Sequence, residues 1–153
     1  MIEERNVKGQ SPEMMNPGGE RNSIQQGIYS IIPNTMVING KRIVNLTRHP
    51  IVVVRGNKKV RIPPSGIIVR TTRVETTAFM LGDIPVQTFG YNIENLPDPS
   101  TADYFIVPFV VAQAIACNNL IKYKGKILVP NTKDALRNEK GFVIGVLSLL
   151  LAW

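Results

Sequence analysis

The stretch that decides the fold is residues 41–73, which read KRIVNLTRHPIVVVRGNKKVRIPPSGIIVRTTR. Within it, residues 51–55 and 58–62 are rich in β-branched side chains, and such runs favour β-strands. The dipeptide Gly56-Asn57 separates them and tolerates the positive φ angles of a two-residue hairpin turn. The stretch therefore predicts a β-hairpin at the centre of the fold.

This turn implies a register that can be checked residue by residue. From the turn outward, the register pairs Arg55 with Lys58, Val54 with Lys59, Val53 with Val60, Val52 with Arg61 and Ile51 with Ile62. Beyond the turn pair, one face is then wholly apolar and belongs to a core, whereas the other mixes valines with cationic side chains. Pro63-Pro64-Ser65-Gly66 ends the second strand because prolines remove ladder donors.

Strand signals continue on both sides of this hairpin. Asn39-Gly40 predicts a second hairpin, between residues 36–38 and 42–46. We expect further strands over residues 67–77, 84–91, 104–107, 127–130 and 142–147. The last of them is expected to be central, because both of its faces are apolar.

One segment has the composition of a helix. Residues 109–118 follow Pro108, a favourable first helical residue, and they are alanine-rich and nearly free of polar side chains. They predict a short buried helix, in which Cys117 is a small buried hydrophobe rather than a reactive thiol. The fold class expected is α+β: mainly antiparallel β hairpins around one short buried helix, with an extended N-terminal arm.

The chain divides into that arm and a domain. Residues 1–23 are punctuated by Gly, Pro, Ser and Asn and show no hydrophobic period, so they predict the extended arm. Residues 24–153 predict a single β-rich globular domain, long enough to bury a core without disulfides or a structural metal. The apolar tail, residues 149–153, either completes that core or forms an interface.

The chain carries a net charge of +7, and this charge is unevenly placed. Nine of the eighteen Lys and Arg residues, and no carboxylate, lie in residues 41–73. Such a surface can bind nucleic acid or an anionic nucleotide, or it can simply keep an exposed β surface soluble. The candidate anion-binding residues are Arg48, Arg55, Lys58, Lys59, Arg61, Arg70 and Arg73. Elsewhere, Tyr123 lies between two lysines and can stack a base, although a hairpin turn at Lys124-Gly125 is the favoured interpretation.

Catalytic and metal-binding residues are scarce. His49 is the only histidine and Cys117 the only cysteine, so the chain has no metal-ligand spacing, and a dyad of these two residues has no supporting motif. No Gly-rich phosphate loop precedes a helix. We therefore expect no enzymatic activity, no cofactor and no metal site. Asn45-Leu46-Thr47 matches a glycosylation sequon, which we interpret as a chance match.

Six segments resemble, in order, a family of small uncharacterised proteins of bacteriophages, prophages and archaeal viruses. They are Asn45-Leu46-Thr47-Arg48-His49-Pro50 and residues 62–66, 82–86, 95–97, 104–107 with 111–112, and 129–132 with 137–141. The family tends to show Asn-Leu-Thr-Pro-His at the first segment, and Arg48 departs from that proline. The resemblance covers most of the chain, and it implies a viral or mobile-element origin without implying a particular activity.

These features predict a non-enzymatic viral structural or assembly protein. We expect a homo-oligomer formed through the N-terminal arm and residues 142–153, or contacts with other virion proteins. The alternative is a basic-surface protein that binds nucleic acid or an anionic nucleotide, for example as a host-defence antagonist. The N-terminus lacks the apolar region of a signal peptide, and residues 142–153 fall short of the ~20 residues of a membrane-spanning helix. The expected location is therefore the virion or the host cytoplasm.

Overall fold

The structure, a computed structural model, describes residues 32–153 and builds them from eleven strands, one α-helix and two 3₁₀ turns. The strands are β1 (Met36–Ile38), β2 (Lys41–Asn45), β3 (Ile51–Arg55), β4 (Lys58–Ile62), β5 (Arg70–Leu81), β6 (Ile84–Glu94), β7 (Tyr104–Ile106), β8 (Ile127–Pro130), β9 (Leu136–Arg137), β10 (Val143–Gly145) and β11 (Leu149–Leu151). Helix α1 spans Phe109–Cys117. The predicted N-terminal arm, residues 1–23, lies outside the described residues.

The β3–β4 hairpin has the predicted register at all five pairs, from Arg55 opposite Lys58 to Ile51 opposite Ile62. Its apolar face is the core face, because Ile62 is buried against Ile43 and Ile106. Ile51 and Val60 are partly buried against the same cluster. The hairpin predicted at Asn39-Gly40 is also confirmed, with β1 antiparallel to β2.

The largest sheet is mixed and has the strand order β11-β8-β7-β2-β1. Its inner strands β2, β7 and β8 run parallel, whereas β1 and β11 are antiparallel edges. Phe105, Ile106 and Ile127 are fully buried at its centre. Helix α1 makes the crossover that joins β7 to parallel β8. The sequence predicted mainly antiparallel hairpins because a parallel pair leaves no turn signal between its strands.

Helix α1 has nearly the predicted bounds, but it is buried on one side only. It buries Val111, Ala112, Ala114 and Ile115, and it leaves Phe109 and Val110 exposed. Cys117 is exposed, so its interpretation as a buried hydrophobe was wrong. The sequence could not separate the two sides because this helix is apolar all round.

The strand predicted over residues 67–77 instead begins at Arg70 and continues to Leu81. It pairs with β6 through a two-residue turn at Gly82-Asp83, where Gly82 has φ +60°, and a bulge interrupts the ladder near Ala78. These two strands form a sheet of their own. Within the described residues, the β5–β6 hairpin is therefore separate from the mixed sheet, and helix α1 packs against it.

The prediction of a central strand over residues 142–147 is confirmed only in part. Strand β10 pairs with the two-residue strand β9 on one side. On the other side, buried Val146 forms a parallel bridge with Val53 of β3 through two backbone hydrogen bonds of 2.9 Å. Phe142 and Ile144 are exposed. Strand β11 is an edge of the mixed sheet, and Trp153 behind it donates its indole N–H to the Leu120 carbonyl at 3.0 Å. The apolar tail thus extends the sheet and still exposes Leu150 and Leu151.

A turn is present at Lys124-Gly125, where Gly125 has φ +82°, but it does not join two strands of a hairpin as predicted. A 3₁₀ turn, Ile121–Tyr123, precedes β8 instead, and the half-buried Tyr123 donates its hydroxyl to the Pro97 carbonyl at 2.6 Å. Its ring packs edge-on against Phe105 at 6.2 Å between centroids, so it is not a free platform for a base. Among the described residues, no helix has the length and apolar character needed to cross a membrane.

Candidate functional site

A cleft of about 740 Å³ lies where the three parallel strands end. Residues 46–49 follow β2, Pro108-Phe109 follow β7, and residues 129–133 comprise the end of β8 and the segment after it; all three segments line the cleft. Ile68, Val69 and Leu150 complete the lining. In open sheets with parallel strands, ligands bind in the crevice outside the carboxyl ends of the strands. The volume falls within the roughly 300–1,000 Å³ of known ligand pockets.

Asn45 shapes the first wall of this cleft. The side chain is fully buried and donates its amide to the carbonyls of His49 (2.9 Å) and Ile62 (3.0 Å). Its oxygen accepts from the Thr47 backbone N–H (2.9 Å) and lies 2.6 Å from the Thr47 hydroxyl. These bonds fold the segment after β2 into a tight turn that places Arg48 and His49 at the surface. They also leave the Asn45 amide inaccessible, so the folded chain does not present the sequon for glycosylation.

The cleft has an apolar floor and a cationic rim. Leu46, Ile68, Val129 and Leu150 provide apolar surface, and Arg48 and Lys133 are exposed at the edge. We call these two residues the cationic rim, and His49 lies beside them. None of the described lining residues is acidic. An occupant of this cleft should therefore combine an apolar body with a negative charge.

Helix α1 adds to the positive potential of the cleft. Its N-terminal residues border the cleft, its N-cap is Pro108 without a side-chain hydrogen bond, and its first turn holds no acidic residue. The positive end of the helix dipole is therefore not neutralised from within the described chain. The dipole reinforces the cationic rim, although by itself it does not define a site.

The second unusual feature is the outer half of the β5–β6 hairpin. Its inner half is held by Asn118, the C-cap of α1, whose side chain accepts from Tyr91 N–H (3.1 Å) and donates to Tyr91 C=O (2.6 Å). Beyond this anchor, β5 is exposed at every residue to its end. Six residue steps from Glu75 to Leu81 extend about 20 Å at ~3.4 Å each.

The end of this hairpin, residues 79–85, is apolar on both faces, and we call it the hairpin tip. Leu81 pairs with Ile84 on one face, and Met80 pairs with Pro85 on the other. Phe79, Met80, Leu81 and Ile84 are all more than half exposed. Asp83 in the turn is the only charged residue between positions 76 and 93. A hairpin that merely covered its own core would need one apolar face, not two.

The candidate cations are not gathered on one surface. Arg55, Lys58, Lys59 and Arg61 lie on the β3–β4 hairpin, and its register divides them between two faces. Arg55 also donates to the Leu147 carbonyl at 3.4 Å. Arg48 lies apart from them, on the cationic rim.

The remaining two candidate cations, Arg70 and Arg73, lie on β5. Each has a neighbouring carboxylate, and both carboxylates lie outside residues 41–73. Arg73 forms an ion pair with Glu75 at 2.9 Å and stacks on Phe89, with 4.2 Å from guanidinium carbon to ring centroid. Arg70 is the cross-strand partner of Glu94. The free positive charge of this region is therefore smaller than the sequence suggests.

Cys117 and His49 do not lie together as a catalytic dyad. Helix α1 borders the cleft at Phe109, as does His49, whereas Cys117 lies at the opposite end of the helix. Eight residue steps at ~1.5 Å separate the two ends by about 12 Å. The described residues also contain no cluster of three or more potential metal ligands.

Sequence reasoning named Arg48 as a candidate, and the structure places it at the cleft; it named neither Lys133 nor the hairpin tip. Arg48 and Lys133 are 85 positions apart in the sequence, and only the parallel pairing of β2, β7 and β8 brings their loops together. A usable signal existed: apolar runs ending at Leu46 and Pro130 are each followed directly by polar residues. No family model matches this chain, and no curated protein or solved structure matches it either. The resemblance to phage and archaeal-virus proteins stays a prediction.

Proposed function

We propose that the protein is a non-enzymatic viral structural or assembly protein, and that it forms a homo-oligomer through the β5–β6 hairpin. The observation that carries this proposal is the hairpin tip, which is apolar on both faces and exposed. An isolated two-stranded hairpin is at best marginally stable in water. A cover over the tip would both stabilise the hairpin and remove an aggregation hazard.

The energetics favour an interface larger than the tip alone. Fully burying a large apolar side chain contributes about 1.5–3 kcal/mol, and the four tip residues are each a little over half exposed. Covering them would therefore contribute about 3.5–7 kcal/mol. Association costs an estimated 4–15 kcal/mol in lost freedom. The tip must therefore contact a surface that adds further contacts. The exposed apolar residues Phe142, Ile144 and Leu151 are available for additional interfaces.

A pair of matched variants tests the proposal. The tip variant combines Leu81→Ser and Ile84→Ser, at residues 60% and 65% exposed. The control variant combines Val37→Ser and Ile121→Ser, at two residues that are each 62% exposed and lie outside the hairpin. We measure the mass of each full-length protein by light scattering. We expect a multiple of 17.0 kDa for the unmodified chain and the control, and 17.0 kDa for the tip variant.

Two results would count against an assembly role for the hairpin. One is a tip variant that keeps the mass of the unmodified chain. The other is an unmodified chain that is itself monomeric at tens of micromolar concentration.

A second candidate function is nucleic-acid binding by the β3–β4 hairpin. It is supported by Lys58, Lys59 and Arg61, which are exposed and form no ion pair among the described residues. Affinity for a single-stranded oligonucleotide should fall steeply with salt, and it should fall again when these three residues are changed to glutamine. An affinity that depends on neither change contradicts this function.

A further inference from the structure

We infer that the hairpin tip of one copy docks into the cleft of a second copy of this chain. The inference rests on the proposed assembly role and names the surface that covers the tip. The occupant of the cleft is then the hairpin tip, an apolar segment that carries a single carboxylate.

The two surfaces match in apolar character. The tip presents Phe79, Met80, Leu81 and Ile84 around a two-residue turn. The cleft, of about 740 Å³, presents the exposed side chains of Ile68 and Leu150. Docking would cover the apolar side chains of both surfaces.

The two surfaces also match in charge. Asp83 lies in the turn at the extreme end of the tip, with no other charged residue near it in sequence. The cleft has Arg48 and Lys133 on its rim, His49 beside them and the N-terminus of α1 at its edge, and its described lining contains no carboxylate. An inserted tip would bring the Asp83 carboxylate towards Arg48, Lys133 and the N-terminus of α1 as its apolar side chains reach the floor.

The hairpin tip cannot readily reach the cleft of its own chain. Strand β5 begins next to Val69, which lines the cleft, and runs away from it for eleven residue steps, or about 37 Å at ~3.4 Å per residue. Each chain carries one tip and one cleft. Two copies can therefore exchange tips in a two-fold dimer, or successive tip-to-cleft contacts can form a closed ring or an open filament.

Charge reversal tests the pairing directly. The cleft variant combines Arg48→Glu and Lys133→Glu, and its matched control combines Lys58→Glu and Lys59→Glu on the β3–β4 hairpin. We expect the cleft variant to be monomeric and the control to keep the mass of the unmodified chain. Adding Asp83→Lys to the cleft variant should restore assembly, and absence of restoration contradicts the assigned charge pairing.

Mixing the tip variant with the cleft variant tests whether the tip of one chain binds the cleft of another. A complex between them would also show that both variants are folded. The tip variant keeps an intact cleft, and the cleft variant keeps an intact tip. Equal amounts of the two variants should therefore form a complex of two chains with a mass of twice 17.0 kDa. This complex cannot bind a third chain, because its remaining tip and its remaining cleft are both defective. Failure to form this complex, when each variant unfolds cooperatively on heating, overturns the inference.

A photocrosslinker identifies the occupant of the cleft. Thr132→p-benzoylphenylalanine places it on the exposed cleft wall. Crosslinks to residues 79–85 of another chain support the inference, whereas crosslinks to residues 1–31 or to no peptide overturn it. If the tip variant is monomeric and the cleft variant is not, the tip docks elsewhere and the proposed function survives. If both keep the mass of the unmodified chain, the proposed function fails as well.

Discussion

Replacing Asn45 by alanine should lower the free energy of unfolding far more than the same substitution at an exposed asparagine. The Asn45 side chain is fully buried and joins the end of β2 to the end of β4 through its bond to the Ile62 carbonyl. The other bonds, to His49 and Thr47, hold the turn that forms one wall of the cleft.

The magnitude follows from the individual bonds. Loss of a partner at a buried polar group costs about 1–3 kcal/mol, and each partly exposed bond contributes about 0.5–1.5 kcal/mol net. One buried bond and two partly buried backbone bonds therefore sum to about 2–6 kcal/mol, with a midpoint of about 4 kcal/mol. A domain of this size is stable by about 5–15 kcal/mol, so Asn45→Ala should remain folded but lose a substantial part of its stability.

Asn131→Ala is the matched control for this substitution. Asn131 also caps a turn after a parallel strand, but it is only half-buried, and it bonds to the Ser148 hydroxyl at 3.0 Å and to Lys133 N–H at 3.3 Å. We expect a loss of about 1 kcal/mol or less. Urea unfolding with an unchanged m-value gives both losses from the shift in midpoint. Equal losses for the two variants would refute the role given to Asn45.

Three further outcomes are expected. Asn118→Ala should release the inner half of the long hairpin by removing both bonds to Tyr91, and hydrogen exchange should then accelerate in β6 but not in β2. The backbone N–H of Arg42, and then its guanidinium, hold the pKa of Asp103 below its ordinary value of 3.8. Stability from this carboxylate is therefore present above about pH 4 and lost as pH falls through the lowered pKa, so Asp103→Asn should lose less stability than the unmodified chain between pH 5 and 2 in urea unfolding. Gly145→Val should lower the melting temperature, because even a Cβ there would lie 3.2 Å from a Val54 methyl group and 3.4 Å from a backbone oxygen of β3, and unchanged melting would contradict this packing.

Local signals were sufficient for the hairpins. Asn39-Gly40 and Gly56-Asn57 specify two-residue turns, and alternation of side chains then fixes the register, as the β3–β4 pairs confirm. The mixed sheet was not predictable in this way. The pairing of β2 with β7 joins residues about 60 positions apart, and the sequence of neither strand indicates which strand it pairs with.

Exposure was the property that the sequence predicted least well. Residues 142–147 and the hairpin tip are as apolar as the buried strands, so composition places them in a core. The structure leaves Phe142, Ile144 and Leu81 exposed instead. Apolar residues that belong to an interface between molecules look the same in sequence as residues that belong to a core. The same limit applies to the cleft, whose loops meet only after the parallel strands have paired.

The measurement that tests the central claim most directly is the mass of the full-length protein by light scattering, with the tip variant and its control measured beside it. An assembly built through the hairpin tip gives a multiple of 17.0 kDa for the unmodified chain and the control, and 17.0 kDa for the tip variant. The same mass for all three proteins would contradict the claim, whether that mass belonged to a monomer or to an oligomer.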